Sequence, residues 1–307
     1  MRALVRRGGG VEVVEVDAPV PRPGEVMVAV ALAGTCRTDL LVADGKLPVA
    51  EGLILGHELS GRIMTSASPE RNPGLRVTVI PAIPCGRCGG CALSNEQPER
   101  CSRPRFLGVD EDGAFARFVR VPARCALPLP EAVSDMQGAF VEPLAAALAV
   151  LGAGLRAEDE VAVVGKNRIG ELVARVVEAA HGRRPTVLDE GEPGPTDAFD
   201  AVVETVPTSA GLDRALASLR PGGRLILKSR PAARVPFDVA LAVRKEIALQ
   251  GARYGSFADA ILWLAQRRID VSDLLGPVFP LESFADAFAL ARGQEAKKVF
   301  IAPGEPH

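Results

Sequence analysis

Along residues 2–33 apolar and polar positions alternate in a valine-rich stretch, with Pro19, Pro21, Pro23 and Gly24 as punctuation before GEVMVAVALAG. A period of two marks half-buried strands, and the pattern predicts strands that run into a loop at Gly34. The short runs LILGHELSGRI, RVTVIPA and AFARFVRVPA read the same way, so the chain up to about residue 130 is expected to be β-rich. At 137–156 the alanine-rich QGAFVEPLAAALAVLGAG changes the pattern to that of a helix.

Beyond it, apolar runs alternate with amphipathic ones. DEVAVVG is continuously apolar, as a parallel strand buried on both faces must be, and the helical IGELVARVVEAAH follows. PTVLDE, AFDAVVETV, GRLILKS and IALQGARY read as further strands, with GLDRALASLR as an intervening helix. Alternation of this kind predicts an α/β fold with a Rossmann-type parallel sheet. Only nine residues separate Asp189 from Phe199. A crossover carrying another strand and helix needs a dozen or more residues per connection, so the sheet is expected to be shortened to the order 2-1-4-5-6, lacking the edge strand 3. Near the C-terminus two helices are expected to begin at Ser256 and Ser283, where Ser-x-x-Asp resembles a capping box in both cases.

Bulk properties then narrow the partners. At 307 residues the chain is long enough for about two domains. A net charge of −2 without any Lys/Arg-rich run argues against nucleic acid or a membrane surface as partner. The opening MRALVRRGGG has no apolar signal-type core and no run approaches a membrane span, so a cytoplasmic protein is expected. In that setting clustered cysteines favour metal over disulfides.

Four of the six cysteines, Cys85, Cys88, Cys91 and Cys101, form C-x2-C-x2-C-x9-C. Four thiolates close a tetrahedron with no open position, which describes structural zinc; free thiols or an iron–sulfur cluster are the competing readings. A second set is dispersed: Cys36 in GTCRTDL, His57 and Glu58 in GHELSG, and Glu142 in FVEPLA. The other histidines, His181 and His307, stand at a helix end and at the C-terminus. Spacing alone does not bring the dispersed set together.

In their order along the chain, GTCRTDL, LGHELSG, the Cys85–Cys101 lobe, FVEPLA and the strand VAVVG resemble zinc-dependent medium-chain dehydrogenases. The resemblance extends to KKVFIAP near the end, and Glu142-Pro143 is similar to the sorbitol, threonine and glucose dehydrogenase branch. It implies two zinc ions per subunit, one structural and one catalytic. Cys36 and His57 are then catalytic ligands, with Glu58 or Glu142 as the third and substrate oxygen or water in the remaining place. Thr38 matches the hydroxyl that bonds the alcohol, and Asp39 the carboxylate that orients the histidine. Many relatives carry a proton-relaying histidine five positions after the catalytic cysteine; here that residue is Leu41. Either Thr38 passes the proton through cofactor ribose and water, or a carboxylate such as Glu58 assists. Pro81, Ile83, Phe106 and Leu107 are pocket residues or plain packing.

The dinucleotide fingerprint should lie in Gly165, Lys166, Asn167, Arg168, Ile169 and Gly170. Gly165 and Gly170 hold the first and third glycine positions, while Asn167 replaces the second, with a side chain that tolerates left-handed backbone. Lys166 and Arg168 add positive charge at a helix N-terminus. Asp189, ending the second strand, is placed for the ribose 2′-hydroxyl and repels a 2′-phosphate, so NAD is preferred over NADP. Loss of the third strand is expected to weaken NAD binding.

The expected activity is hydride transfer between NAD and a secondary alcohol or polyol-like substrate. A ketone or imine reductase on the same scaffold and a catalytically inactive zinc-stabilised nucleotide-binding protein are the alternatives. By the same resemblance, residues 1–143 with 255–307 form a GroES-like catalytic domain and 144–254 the nucleotide domain. The active cleft is expected between them, in a homodimer or homotetramer that pairs through residues 231–247.

Overall fold

The alternating N-terminal stretch folds as a hairpin of β1 (Arg2–Arg7) and β2 (Gly10–Glu15), followed by β3 (Glu25–Gly34). This is the computed structural model of the chain, and it describes residues 1–93, 101–231, 233–293 and 297–304. A short helix, α1 (Arg37–Ala43), leads to β4 (Glu58–Ser66), β5 (Arg76–Val79) and β6 (Ala82–Ile83). After α2 (Gly89–Leu93) come β7 (Arg105–Phe106), β8 (Phe118–Pro122) and β9 (Ala126–Pro128).

The expected helix at 137–156 is broken into α3 (Asp135–Ala139), α4 (Val141–Leu148) and a 3-10 turn at Leu151–Ala153. Pro143 explains the break. It has no N–H to give to Ala139, and its ring crowds that carbonyl, so one continuous helix is not available. Pro143 instead sits in the first turn of α4, where such donors are unused anyway.

The second half follows the alternation: β10 (Val161–Val164), α5 (Arg168–His181), β11 (Thr186–Leu188), β12 (Phe199–Glu204), α6 (Ser209–Ser218), β13 (Leu219–Leu227), α7 (Val239–Arg244) and β14 (Ala248–Gly251). The tail adds α8 (Phe257–Ala265), β15 (Leu275–Pro280), α9 (Phe284–Ala291) and β16 (Lys298–Ala302). Of the two serines read as caps, Ser256 accepts the Asp259 N–H at 3.0 Å. Ser283 makes no side-chain cap, because a 3-10 turn at Leu281–Ser283 already runs into α9.

Two units result, Met1–Glu142 with Ala260–His307, and Pro143–Asp259. In the first, a seven-stranded sheet has the order β15-β16-β3-β4-β5-β9, with β8 also on β3. Strand β3 is shared along its length: residues 25–29 pair with β8, 33–34 with β16, and nearly all of it with β4. Its alternation is the alternation read in the sequence, with Val26, Val28 and Val30 turned into the core.

The second unit is a parallel sheet of five strands in the order β11-β10-β12-β13-β14. All four residues of β10 are buried, so both faces of that strand are covered. Strand β11 lies at the edge, and the link from it to β12 contains no helix. Arg214 of α6 holds that link by donating to the carbonyls of Gly194 and Pro195, both at 3.2 Å. The shortened sheet is therefore real: the strand beyond β11 is missing and the core is continuous without it. No helix among the described residues is long and apolar enough to cross a membrane.

Candidate metal centres and nucleotide site

Pairing of β6 with β7 brings the two ends of the cysteine lobe together. Sulfur–sulfur distances are 3.9 Å for Cys85–Cys91, 3.5 Å for Cys88–Cys91 and 3.8 Å for Cys88–Cys101. A tetrahedral thiolate shell with metal–sulfur bonds of about 2.3 Å has edges of about 3.8 Å, whereas a disulfide needs about 2 Å. All four are free thiols. Backbone N–H groups of Cys85 and Arg103 donate to the Cys101 sulfur at 3.3 and 3.4 Å, support that suits a thiolate. Hydrogen bonds from Ser102 pull the Cys88 thiol down to about 5, while burial beside its neighbours pushes Cys91 up to about 11. So many sulfurs at these distances cannot all ionise without a cation among them, and the set fits zinc.

The dispersed residues converge as well. Thr35 leaves the end of β3 with its N–H and hydroxyl on the Val299 carbonyl, 2.9 and 3.0 Å away. Cys36 then starts α1. Fully buried Asp39 accepts the Cys36 N–H at 2.8 Å through one oxygen and the Gly56 N–H at 3.1 Å through the other. That second oxygen also lies 3.7 Å from His57 Nδ1, so one carboxylate fixes both the cysteine turn and the histidine turn. His57 is fully buried, with Phe106 tilted against its ring at 5.1 Å between centroids.

One ligating atom each from Cys36, His57 and Glu58 lie within 4.8 Å of one another. Neither His57 ring nitrogen has a hydrogen-bond partner among the described residues. Nδ1 faces the Asp39 carboxylate, and a buried Nε2 without a hydrogen bond is costly unless something binds there. Burial drives the His57 pKa down, yet Asp39 and then Cys36 outweigh it and hold it well above its ordinary value. The pocket thus attracts positive charge, and a Cys–His–carboxylate donor set fits zinc with a fourth place open. Glu142 is buried and its charge helps to raise the Glu58 pKa, but it is not one of the three mutually close ligands. Thr38 is half-buried, its hydroxyl 3.8 Å from the Cys36 sulfur.

Lys298 is the residue that sequence reading missed. It is 2% exposed and forms an ion pair with Glu58, while its Nζ donates to the Thr35 carbonyl at 2.9 Å. Register makes the meeting possible: Gly34 stands opposite Glu58 on one side and Phe300 on the other. A Cβ at Gly34 would run into the Glu58 carboxylate and come within 2.9 Å of Lys298 Cε. Burial raises the Glu58 pKa, Lys298 opposes that, and Glu142 reinforces it.

In the second unit Gly165 has φ +126°, and a Cβ there would press on the Thr205 hydroxyl and on Val206 Cγ2 at 2.6 Å. A Cβ on Gly170 would collide with the Gly165 carbonyl, so β10 and α5 can approach only because both are glycine. The left-handed conformation considered for Asn167 is not adopted: φ is −133° and ψ 170°, and Asn167 is the N-cap of α5. Arg168, Ile169 and Gly170 form the first turn. Lys166 Nζ lies 3.0 Å from Glu192 and 3.8 Å from Asp189. At the end of β12, buried Glu204 accepts the Ser229 hydroxyl with both oxygens at 2.7 Å, tying β12 to β13. Of the other histidines, His181 closes α5 and His307 lies outside the described residues. The two-glycine turn at the carboxyl ends of a parallel sheet fits a dinucleotide.

Two cation centres of unlike coordination and a nucleotide-type sheet define a chemical class: NAD(P)-dependent zinc dehydrogenases acting on alcohols and polyols. A family model for the alcohol dehydrogenase GroES-like domain matches residues 22–131. The chain is 30% identical over 311 residues to a 2-dehydro-3-deoxy-L-galactonate 5-dehydrogenase of Pseudoalteromonas atlantica, covering 90% of this chain and 91% of that one. It is 28% identical to the starvation-sensing protein RspB of Escherichia coli, covering 94% of each. Among solved structures it superposes on a cobalt- and zinc-bound thermostable alcohol dehydrogenase from Pyrobaculum aerophilum with a TM-score of 0.83, at 26% identity and 99% of both chains. The chain belongs to the zinc-type medium-chain dehydrogenase/reductase family. Cys85, Cys88, Cys91 and Cys101 are its structural zinc site, and Cys36, His57 and Glu58 its catalytic one.

Removing one partner of a buried ion pair strands the other charge. Lys298→Met is therefore expected to lower the stability of its unit by about 3 kcal/mol in denaturant unfolding. Wild-type stability in that variant would show that Glu58 does not depend on it.

Proposed function

We propose that the protein moves hydride between NAD and the carbinol carbon of a secondary alcohol or polyol. The observation that carries this reading is the convergence of Cys36, His57 and Glu58, with His57 Nε2 buried and without a hydrogen bond. Three protein ligands leave a tetrahedral cation one place for substrate. Zinc bound there supplies Lewis acidity toward the substrate oxygen.

The chain's own residues do the rest. Asp39 holds the His57 ring in its orientation. The Thr38 hydroxyl accepts the hydrogen bond of the alcohol and, as it takes up that proton, passes its own on through cofactor ribose and water to solvent. Thr38 is partly open to solvent, whereas Glu58 is buried and engaged by Lys298, so the proton leaves by way of Thr38 in the absence of a histidine at Leu41. Glu142 contributes negative charge beside the ligands without being one of the close three.

Gly165, Lys166, Asn167, Arg168, Ile169 and Gly170 receive the dinucleotide, with its pyrophosphate at the α5 N-terminus. Asp189 accepts from the adenosine ribose and disfavours a 2′-phosphate, which is the reason for NAD rather than NADP. The sugar-acid dehydrogenase from Pseudoalteromonas atlantica supports a polyhydroxylated substrate.

Assembly as a homodimer or homotetramer belongs to the same reading. Strand β14 is an edge with all four residues exposed, Leu249 among them at 47%, and Val239 and Val243 of the preceding α7 are 63% and 70% exposed. An open apolar edge of this kind is normally covered. Light scattering at micromolar concentration should give a dimer or tetramer, and Leu249→Lys should shift it toward monomer; a monomeric wild type contradicts the assembly.

Activity is tested by a panel of secondary alcohols, polyols and sugar acids with the zinc-loaded protein, following NADH absorbance. Turnover is expected with NAD on at least one polyhydroxylated substrate. Thr38→Ala should cut kcat about 100-fold, the scale of a lost proton-transfer group. No turnover on any alcohol, or on the matching ketones with NADH, would overturn the reading.

A further inference from the structure

The second glycine of a dinucleotide fingerprint leaves room for the pyrophosphate. Asn167 stands at that place, and its backbone is ordinary extended chain, so nothing in its φ and ψ calls for glycine. The side chain is what differs. Its Oδ1 accepts the Gly170 N–H at 2.9 Å, and its Nδ2 donates to the Thr205 carbonyl at 3.3 Å and the Thr205 hydroxyl at 3.2 Å. Thr205 in turn donates from its hydroxyl to the Val164 carbonyl at 2.8 Å. Only this orientation of the carboxamide gives the N–H an acceptor and the carbonyl a donor. Both ends of the amide are consumed inside the chain.

The consequence falls on the helix. An α-helix begins with unpaired N–H groups, and those of a fingerprint helix ordinarily meet the pyrophosphate. In α5 the Gly170 N–H is already taken, by the neutral carboxamide of the residue at the second fingerprint position. Nearby charges are likewise engaged: Lys166 by Glu192 and Asp189, and Asp189 by the Gly191 N–H at 2.9 Å.

We propose that Asn167 sets the cofactor affinity of this site, because its carboxamide caps α5 from within and the pyrophosphate must compete with that cap. This rests on reading residues 165–189 as the cofactor site. The cap then lowers affinity from within the turn itself, apart from any effect of the missing strand, and a single substitution removes it. A cap normally stabilises a protein, so removing it should move stability and affinity in opposite directions. A residue with a merely structural role would move both downward.

The test uses the full-length zinc-loaded protein, with NADH titrated by fluorescence and calorimetry and each variant melted in parallel. Asn167→Gly is expected to bind NADH about tenfold more tightly, the worth of one hydrogen bond to a charged group, with a lower Tm. Asn167→Ala, which keeps a Cβ but loses the carboxamide, should lie between Gly and wild type. Affinity equal to or weaker than wild type in either folded variant overturns the proposal, since the carboxamide would then be neutral or a ligand to the cofactor. If neither NADH nor NADPH binds to wild type or to either variant, the cofactor reading itself fails and the proposal falls with it.

Discussion

A buried negative charge has to be balanced, and the first unit is arranged around that requirement. Asp39, Glu58 and the Cys36 sulfur gather at the end of β3, away from water or nearly so. Lys298 balances Glu58 from one side. Asp39 is held by two backbone N–H groups. Cys36, His57 and Glu58 face one another as a donor set that fits a cation. Strand register supplies the geometry: Gly34 pairs with Glu58 in β4 and with Phe300 in β16, and it has no side chain to keep Glu58 and Lys298 apart. Coordination chemistry here is an outcome of sheet pairing.

The two centres differ in ways that follow from their surroundings. The cysteine lobe offers four sulfurs and no other kind of donor, with backbone N–H groups supporting Cys101. The second centre draws on three residue types from two turns and a strand, and one place stays open. Saturation suits a lobe that only needs to be held together, and vacancy suits chemistry. Phe106 connects the two, because β7, which helps to close the lobe, also delivers the ring that packs on His57.

Legibility in the sequence tracked distance along the chain. The cysteine lobe could be read directly, because its ligands fall within one short segment. The alternation of β3 and the helix-strand alternation of 161–251 were legible because periodicity is local. The loss of a strand was legible because nine residues are too few for a crossover. Cys36, His57 and Glu58 could be joined only through resemblance, since β3–β4 pairing brings them together and no spacing encodes it. Lys298 was invisible for the same reason: its partner is 240 residues earlier, and KKVF reads as an ordinary exposed end to a strand. Pro143 breaks the helix expected at 137–156, although the run of alanines around it carries the stronger helical pattern. Asn167 contributes its side chain as a cap, not the backbone tolerance that its residue type suggests.

Metal content of the purified full-length chain tests the central claim most directly. Two zinc ions per chain are expected, one for each cluster, and one per chain in His57→Ala, with the survivor held by the four cysteines. A His57→Ala protein that still holds both ions, or a zinc-saturated wild type that holds only one, would contradict it.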